Sequence, residues 1–320
     1  MMWDKYYLPP DPTDWQGQDN ALSSSFQQII HPLNVLTDSF FKVHHKTFAL
    51  LGFCYNAKNR KDGKEGPSLI RQALGTLPIQ DANIQCLDVG NIICTDDQLD
   101  QTQLALAFVI KLLLQHDLVP IVLGGGHELS LGHYLGIAES LPDKNLGIIN
   151  FDAHFDLKPV GQDAETTFLQ IAKTHLATHR HFDYNCIGIQ HAGNTRQLME
   201  TAKSYNTKVI WADELHLGQL EKCADFIDRV IDRNDKIYLS LCLNVFATPF
   251  APGVSSTQPL GLLPWHIIPL VRQLAACGKV ISYDIAELLP HLDVDQTTAR
   301  LAANLIYEFI HHHNEQPRPW

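Results

Sequence analysis

Asp152, His154 and Asp156 stand at alternate positions in the stretch Asn150-Phe151-Asp152-Ala153-His154-Phe155-Asp156. Two carboxylates and one imidazole form a donor set suited to a divalent metal such as Mn²⁺ or Zn²⁺. Side chains at i, i+2 and i+4 of an extended chain share one face. The three therefore converge if the apolar strand Leu146-Gly147-Ile148-Ile149 continues through Asp156. Taken alone, the same residues also describe a capped strand end followed by a turn.

Two further segments carry residues of the same kind. Gly124-Gly125-Gly126-His127-Glu128 follows the short apolar run from Val119 to Leu123. A triple glycine after a strand either cradles phosphate or lets the backbone turn sharply, so that His127 points into a site. No Gly-Lys-Ser/Thr and no G-x-G-x-x-G accompanies it, which favours the second reading. The third segment is Ser240-Leu241-Cys242-Leu243-Asn244, followed by Ala251-Pro252-Gly253-Val254-Ser255.

The elements that must position these residues alternate along the chain. Strand candidates are Thr47 to Cys54, Ile84 to Val89, Val119 to Leu123, Asn145 to Phe151, Asn185 to Gln190, Lys208 to Trp211, Lys236 to Leu243 and Lys279 to Asp284. Helical segments lie between most of them. One opens at Gly66-Pro67-Ser68, where proline suits the first turn. Another runs from Asp96-Asp97 to His116, with acidic residues at its start. Ser130 to Ser140, Asp213 to Arg233, Pro264 to Cys277 and Asp295 to His313 complete the set. Short apolar strands alternating with helices predict βαβ units and a parallel sheet covered on both faces. The expected fold is α/β: a single doubly wound domain over 46–320, with 1–45 as an irregular N-terminal arm laid over it. Ligands of such sheets bind at the carboxyl ends of strands, where the three clusters fall.

Lys+Arg 24 against Asp+Glu 35 gives a net charge of −11, which argues against a nucleic-acid surface or an anionic membrane as partner. The longest apolar run, Leu104 to Leu114, contains Lys111 and is too short to span a bilayer. The first residues lack the apolar core of a signal peptide. Seven cysteines without a C-x-x-C fit free thiols better than a disulfide framework, so a reducing cytoplasm is expected.

With these motifs the sequence resembles the ureohydrolases, the arginase and agmatinase superfamily, and within it the formimidoylglutamase branch. The resemblance runs from Gly52 to about Ile306. It rests on Glu65-Gly66-Pro67 with Ile70-Arg71, the Gly-Gly-Gly-His127-Glu128 loop and, most specifically, Asp152-Ala-His-Phe-Asp156. Gly188-Ile-Gln190 with Asn194-Thr195-Arg196, Ala251-Pro-Gly-Val-Ser255, Asp284-Ile-Ala-Glu287 and Thr298-Ala-Arg-Leu-Ala add to it. The resemblance implies a binuclear Mn²⁺ centre, a parallel-sheet α/β fold and a homo-oligomer, trimer or hexamer. It implies that His127 and Asp156 bind one metal, His154 the other, and that Asp152 bridges them. It further implies that Glu287 holds the cationic amidine end of a small-molecule substrate. The implied reaction is hydrolysis of N-formimidoyl-L-glutamate to glutamate and formamide, a step of histidine degradation, with metal lowering the pKa of water.

The sequence departs from the family pattern at the third segment, where Cys242-x-Asn244 replaces Asp-x-Asp. The resemblance would make Cys242 the second bridging position and Asn244 a ligand on the His154 side. Asparagine is neutral and a thiolate is soft. The expectation is one sound site at His127, Asp152 and Asp156, a weakened second site, and a possible shift from Mn²⁺ towards Zn²⁺ or Fe²⁺. Lys158 and Arg60 are the candidates for the substrate carboxylates. The alternatives are a hydrolase of agmatine or another guanidino compound, a metal-depleted binding or regulatory protein of the same fold, and a cysteine nucleophile at Cys242.

Overall fold

The computed structural model describes residues 3–15, 25–40, 47–55, 65–81, 83–94, 98–159, 164–177 and 181–313. Its strands are β1 (Tyr7–Leu8), β2 (Ile30–Pro32), β3 (Thr47–Cys54), β4 (Gln85–Ile93), β5 (Val119–Gly124), β6 (Leu146–Phe151), β7 (Asp183–Ile189), β8 (Lys208–Trp211), β9 (Lys236–Cys242) and β10 (Val280–Ala286). Its α-helices are α1 (Phe26–Ile29), α2 (Gly66–Gly75), α3 (Leu99–Gln115), α4 (Leu129–Ser140), α5 (Thr167–Ala177), α6 (Arg196–Ser204), α7 (Ala212–His216), α8 (Leu220–Arg233), α9 (Pro264–Ala276) and α10 (Thr297–His312).

The strands form one sheet in the order β1-β4-β3-β5-β10-β9-β6-β7-β8, with β2 also on β4. Among the described residues β1 is antiparallel to its neighbour and the other strand pairings are parallel. The central strands are buried on both faces; every residue of β3 and β6 is buried. Alternation along β9 divides the core. Leu239 and Leu241 pack with Ile70 and Leu74 of α2, Ile227 of α8, Leu270 of α9 and Phe309 of α10. Tyr238 packs on the opposite face, with Val109 of α3, Ile137 of α4 and Ile171 of α5. This is the expected doubly wound α/β architecture.

The strand order matters for the site. After β5 the chain moves outward through β6, β7 and β8, then β9 and β10 return to fill the gap between β5 and β6. The carboxyl ends of β5, β10, β9 and β6 therefore meet at the centre of the sheet, the crevice where ligands of such folds bind. α4 leaves directly from the His127 loop and lies close against α3. A Cβ at Gly132 or Gly136 would come within 2.5 Å of the Gln103 or Ala107 carbonyl oxygen, so only glycine permits this approach.

Three local expectations are revised. The N-terminal arm is more ordered than its composition suggests: β1 and β2 extend the sheet on β4. Trp15 Nε1 donates to Asp88 Oδ2 at 2.7 Å, and buried Arg71 pairs with Asp88 Oδ1 at 2.9 Å. The segment Asp213 to Arg233 is two helices, broken around Gly218 (φ +78°). Its apolar period survives in α8, whose buried Cys223, Phe226, Ile227 and Val230 follow helical spacing. Finally, β6 stops at Phe151 and does not extend through Asp156. Asp96 and Asp97 lie outside the described residues.

Candidate metal centre

Four loops at the carboxyl ends of β5, β6, β9 and β10 supply the site. In the first, the three glycines serve close packing rather than an unusual turn, since none has positive φ. A Cβ on Gly125 would lie 2.2 Å from the Tyr55 carbonyl oxygen, and Gly126 N–H donates to that oxygen at 2.8 Å. The second loop brings Asp152, His154 and Asp156 together by folding back, not by strand alternation. Asp152 Oδ1 accepts the His154 backbone N–H at 2.9 Å, and Asp156 adopts a left-handed conformation with φ +50°. Asn194 clamps this loop. Its Oδ1 accepts from Phe155 N–H at 3.0 Å, and its Nδ2 donates to the Ala153 and Gln190 carbonyls at 2.9 and 2.8 Å.

The donor atoms converge on Asp152. His127 Nδ1 lies 3.2 Å from Asp152 Oδ2 and 2.8 Å from Asp156 Oδ2. His154 Nδ1 lies 3.5 Å from Asp152 Oδ1. Each oxygen of one carboxylate thus faces a different imidazole, the arrangement a bridging ligand requires. Asp152 Oδ2 is buried without a hydrogen-bond partner among the described residues. One ligand atom each from His127, Asp152 and Cys242 falls within 4.8 Å of the others. A buried carboxylate oxygen with no well-formed hydrogen bond, on a carboxylate set between two imidazoles, fits a divalent cation.

The electrostatics agree with that fit. Burial would lower the His127 pKa, but Cys242, Asp152 and Asp156 lift it well above the ordinary value. His154 is opposed by burial in the same way and raised by Asp152. Asp152 is driven low by both imidazoles against the cost of its burial. Asp156 is pushed up to about 6 by burial and by the charge of Asp152. Two carboxylates so close want a further positive charge between them.

Cys242 is fully buried, and burial with the charge of Asp152 pushes its thiol well up. That environment works against a free thiolate nucleophile. Asn244 Nδ2 donates to His154 Nδ1 at 3.2 Å, while its Oδ1 accepts from Ala153 N–H at 3.4 Å. The amide thereby covers the ring nitrogen that faces Asp152.

Glu287 closes the site from β10. His127 N–H donates to its Oε1 at 3.2 Å and the Ser255 hydroxyl to its Oε2 at 2.5 Å. Its own N–H donates to the Gly125 carbonyl at 2.6 Å, with φ +73°. Left-handed backbone at a non-glycine carboxylate is costly, and here it occurs at both Asp156 and Glu287, which line the same cavity. That cavity, about 70 Å³, is also lined by His127, His154, Glu165, Cys242, Asn244 and Ser255. Lys158 stands one step behind it, its ammonium 3.1 Å from Glu165 Oε2. Arg60 lies outside the described residues.

Sequence reasoning gave no role to Ser255 or Glu165. Ser255 falls in a quoted motif and is recognisable only once its hydroxyl is seen on Glu287. Glu165 lies between two motifs, with no spacing to mark it.

Comparison with known proteins agrees with this geometry. The arginase family model matches residues 46–312. A curated formimidoylglutamase from Legionella pneumophila (strain Lens) is 39% identical over 314 residues, covering 95% of this chain and 97% of the relative. The crystal structure of formimidoylglutamase from Bacillus subtilis superposes with a TM-score of 0.80 at 22% identity, covering 94% of this chain and 95% of that one. The structure of Trypanosoma cruzi formiminoglutamase with Mn²⁺ gives a TM-score of 0.76 at 19% identity, covering 87% and 97%. Sequence match, sheet order and the placement of the motif residues lead to one assignment: the chain belongs to the arginase family.

Proposed function

We propose that the protein is a metal-dependent amidine hydrolase that converts N-formimidoyl-L-glutamate and water to glutamate and formamide. The observation that carries this reading is the convergence of His127, His154, Asp156 and Glu287 on one cavity, with Asp152 buried behind it against both imidazoles. A relative named formimidoylglutamase, 39% identical and matching nearly end to end, supports the substrate.

His127, Asp152 and Asp156 would hold one divalent metal, with Cys242 beside them. Asp152 and His154 would form the second position, weakened by Asn244. Mn²⁺ is the leading candidate because the Trypanosoma cruzi relative carries it, with Zn²⁺ or Fe²⁺ favoured if Cys242 ligates. Bound metal supplies Lewis acidity and lowers the pKa of water. The rest falls to the protein. Glu287, oriented by Ser255 and by the His127 backbone, receives the N–H groups of the cationic amidine in a charge-assisted contact. Lys158 and Arg60 are proposed for the substrate carboxylates.

A second reading is favoured by Cys242 and Asn244: a binding or regulatory protein of this fold holding one metal or none. Agmatine or another guanidino compound remains the alternative substrate class. Metal content per chain, measured on protein purified without chelator and paired with formamide release after Mn²⁺ addition, separates them. Two metals with turnover support the hydrolase and make the Cys/Asn pair a tolerated variant. One metal or none, without formamide, supports the binding protein. Urea released from agmatine in place of formamide transfers the assignment to the guanidino class. The expected trimer or hexamer is checked by light scattering. Among the described residues no helix is long and apolar enough to cross a membrane.

A further inference from the structure

Behind His127, on the side away from the cavity, runs a buried chain of polar side chains that the proposed reaction does not use. His127 Nε2 lies 2.9 Å from Ser240 Oγ, and Ser240 Oγ lies 2.8 Å from Asp284 Oδ1. The other oxygen of Asp284 meets the Tyr238 hydroxyl and His133 Nδ1, the latter at 2.7 Å. His133 Nε2 then lies 2.5 Å from Ser282 Oγ, which donates to the Pro120 carbonyl at 2.9 Å. Ser240, Ser282, Asp284 and His133 are fully buried.

The sheet register builds this chain. Asp284 pairs with Ser240 and Ser282 with Tyr238 across β10 and β9. Residues two apart share a face, so Tyr238, Ser240 and Cys242 look the same way along β9. α4 delivers His133 to that face, held in place by the glycine contacts with α3.

The protons in the chain can be placed by counting. A serine hydroxyl has one proton, and a carboxylate only accepts. Ser240 therefore donates to Asp284, and its oxygen is left to accept from His127. His127 Nε2 must then carry a proton. By the same count Ser282 donates to Pro120 and accepts from His133 Nε2, leaving His133 Nδ1 to face Asp284. Asp284 thus gathers Ser240, Tyr238 and His133 on its two oxygens.

We propose that Ser240, Asp284 and His133 are positioning residues that keep the His127 proton on Nε2, so that Nδ1, facing Asp152 and Asp156, is the nitrogen a metal binds. The proposal rests on His127 being a metal ligand. Partners of a ligand's second nitrogen orient the ring and raise its basicity, and their loss typically costs about 10–100-fold in metal affinity.

The test uses the full chain stripped with chelator and titrated with Zn²⁺, a diamagnetic probe, against a chromophoric competitor. Long-range ¹H–¹⁵N correlations of the His127 ring are recorded in the Zn²⁺-loaded protein. The native chain should bind Zn²⁺ with an Nε2–H signature protected from solvent exchange. Ser240→Ala should bind about 10–100-fold more weakly and lose that protection. Ser240→Thr, which restores the hydroxyl, should rescue both. Ser240→Cys, nearly isosteric but a poor acceptor, should fall between them and serves if the alanine variant does not fold. Tyr283→Phe alters a buried hydroxyl next in sequence to Asp284 and on the opposite core face, and should change neither readout. Native-like affinity and an unchanged ring signature in Ser240→Ala and Ser240→Cys overturn the positioning role alone. A native chain that takes up no Zn²⁺ overturns the metal reading, and the positioning role with it.

Discussion

Asp152 has one carboxylate oxygen on each imidazole, so its removal separates both halves of the centre at once. Asp152→Ala is expected to reduce metal content below one per chain and to abolish formamide release. Full activity in that variant would eliminate metal chemistry. Cys242 and Asn244 act in the opposite direction. Where the pattern that the sequence resembles has Asp-x-Asp, this chain has a buried thiol, whose pKa burial raises, and an amide hydrogen-bonded to His154. Cys242→Asp with Asn244→Asp restores two charges and frees the His154 nitrogen. Mn²⁺ occupancy should rise towards two per chain, measured by elemental analysis after dialysis against the metal. Unchanged occupancy would locate the weakness elsewhere.

At the scale of elements, the loops matter as much as the strands. Strand positions were readable from apolar runs: β3 and β8 begin and end where composition predicts. The loops were not. Alternation suggested that Asp152, His154 and Asp156 share a strand face, whereas a left-handed residue at Asp156 and the Asn194 clamp bring them together. That clamp comes from a segment about forty residues away, and no local pattern announces it. Asn194→Ala should leave the buried Phe155 N–H without its partner and the Ala153 carbonyl with the Gln190 N–H alone. A loss of roughly 1–3 kcal/mol is expected from such an unsatisfied group, seen as a lower melting temperature with weaker metal binding. Stability reduced with full metal affinity would show that the loop holds its shape unaided. The chain of Ser240, Asp284 and His133 was invisible for a related reason. Its members are unremarkable singly and become a unit only through the β9–β10 register.

For the molecule as a whole, the site lies at one end of the sheet and a separate polar cluster supports the other. At the start of β7, Arg233 grips both Asp183 oxygens at 2.8 and 2.9 Å, and Asn234 Nδ2 donates to Oδ2 at 2.6 Å. Burial would raise the Asp183 pKa, but Arg233 and Asn234 hold it below the usual carboxylate range. A carboxylate with a depressed folded pKa stabilises fully above its unfolded pKa, near 3.9. That contribution fades as pH falls through the lower folded value. Asp183→Asn should therefore melt lower at neutral pH and show a flatter acid limb below about pH 4 than the native chain. Parallel acid limbs would mean that Asp183 carries no pH-linked stability.

The insertion of β9 and β10 between β5 and β6 has a consequence for how the protein is made. Synthesis proceeds from the amino terminus, so His127 and the Asp152 loop leave the ribosome well before their neighbours in the sheet exist. Until Cys242 and Glu287 have emerged, β5 and β6 have no strands to fill the space between them. A nascent chain ending before Ala286 lacks two central strands and one wall of the cavity. The cavity that gathers His127, His154, Asp156 and Glu287 is therefore completed only when the last tenth of the chain has been made.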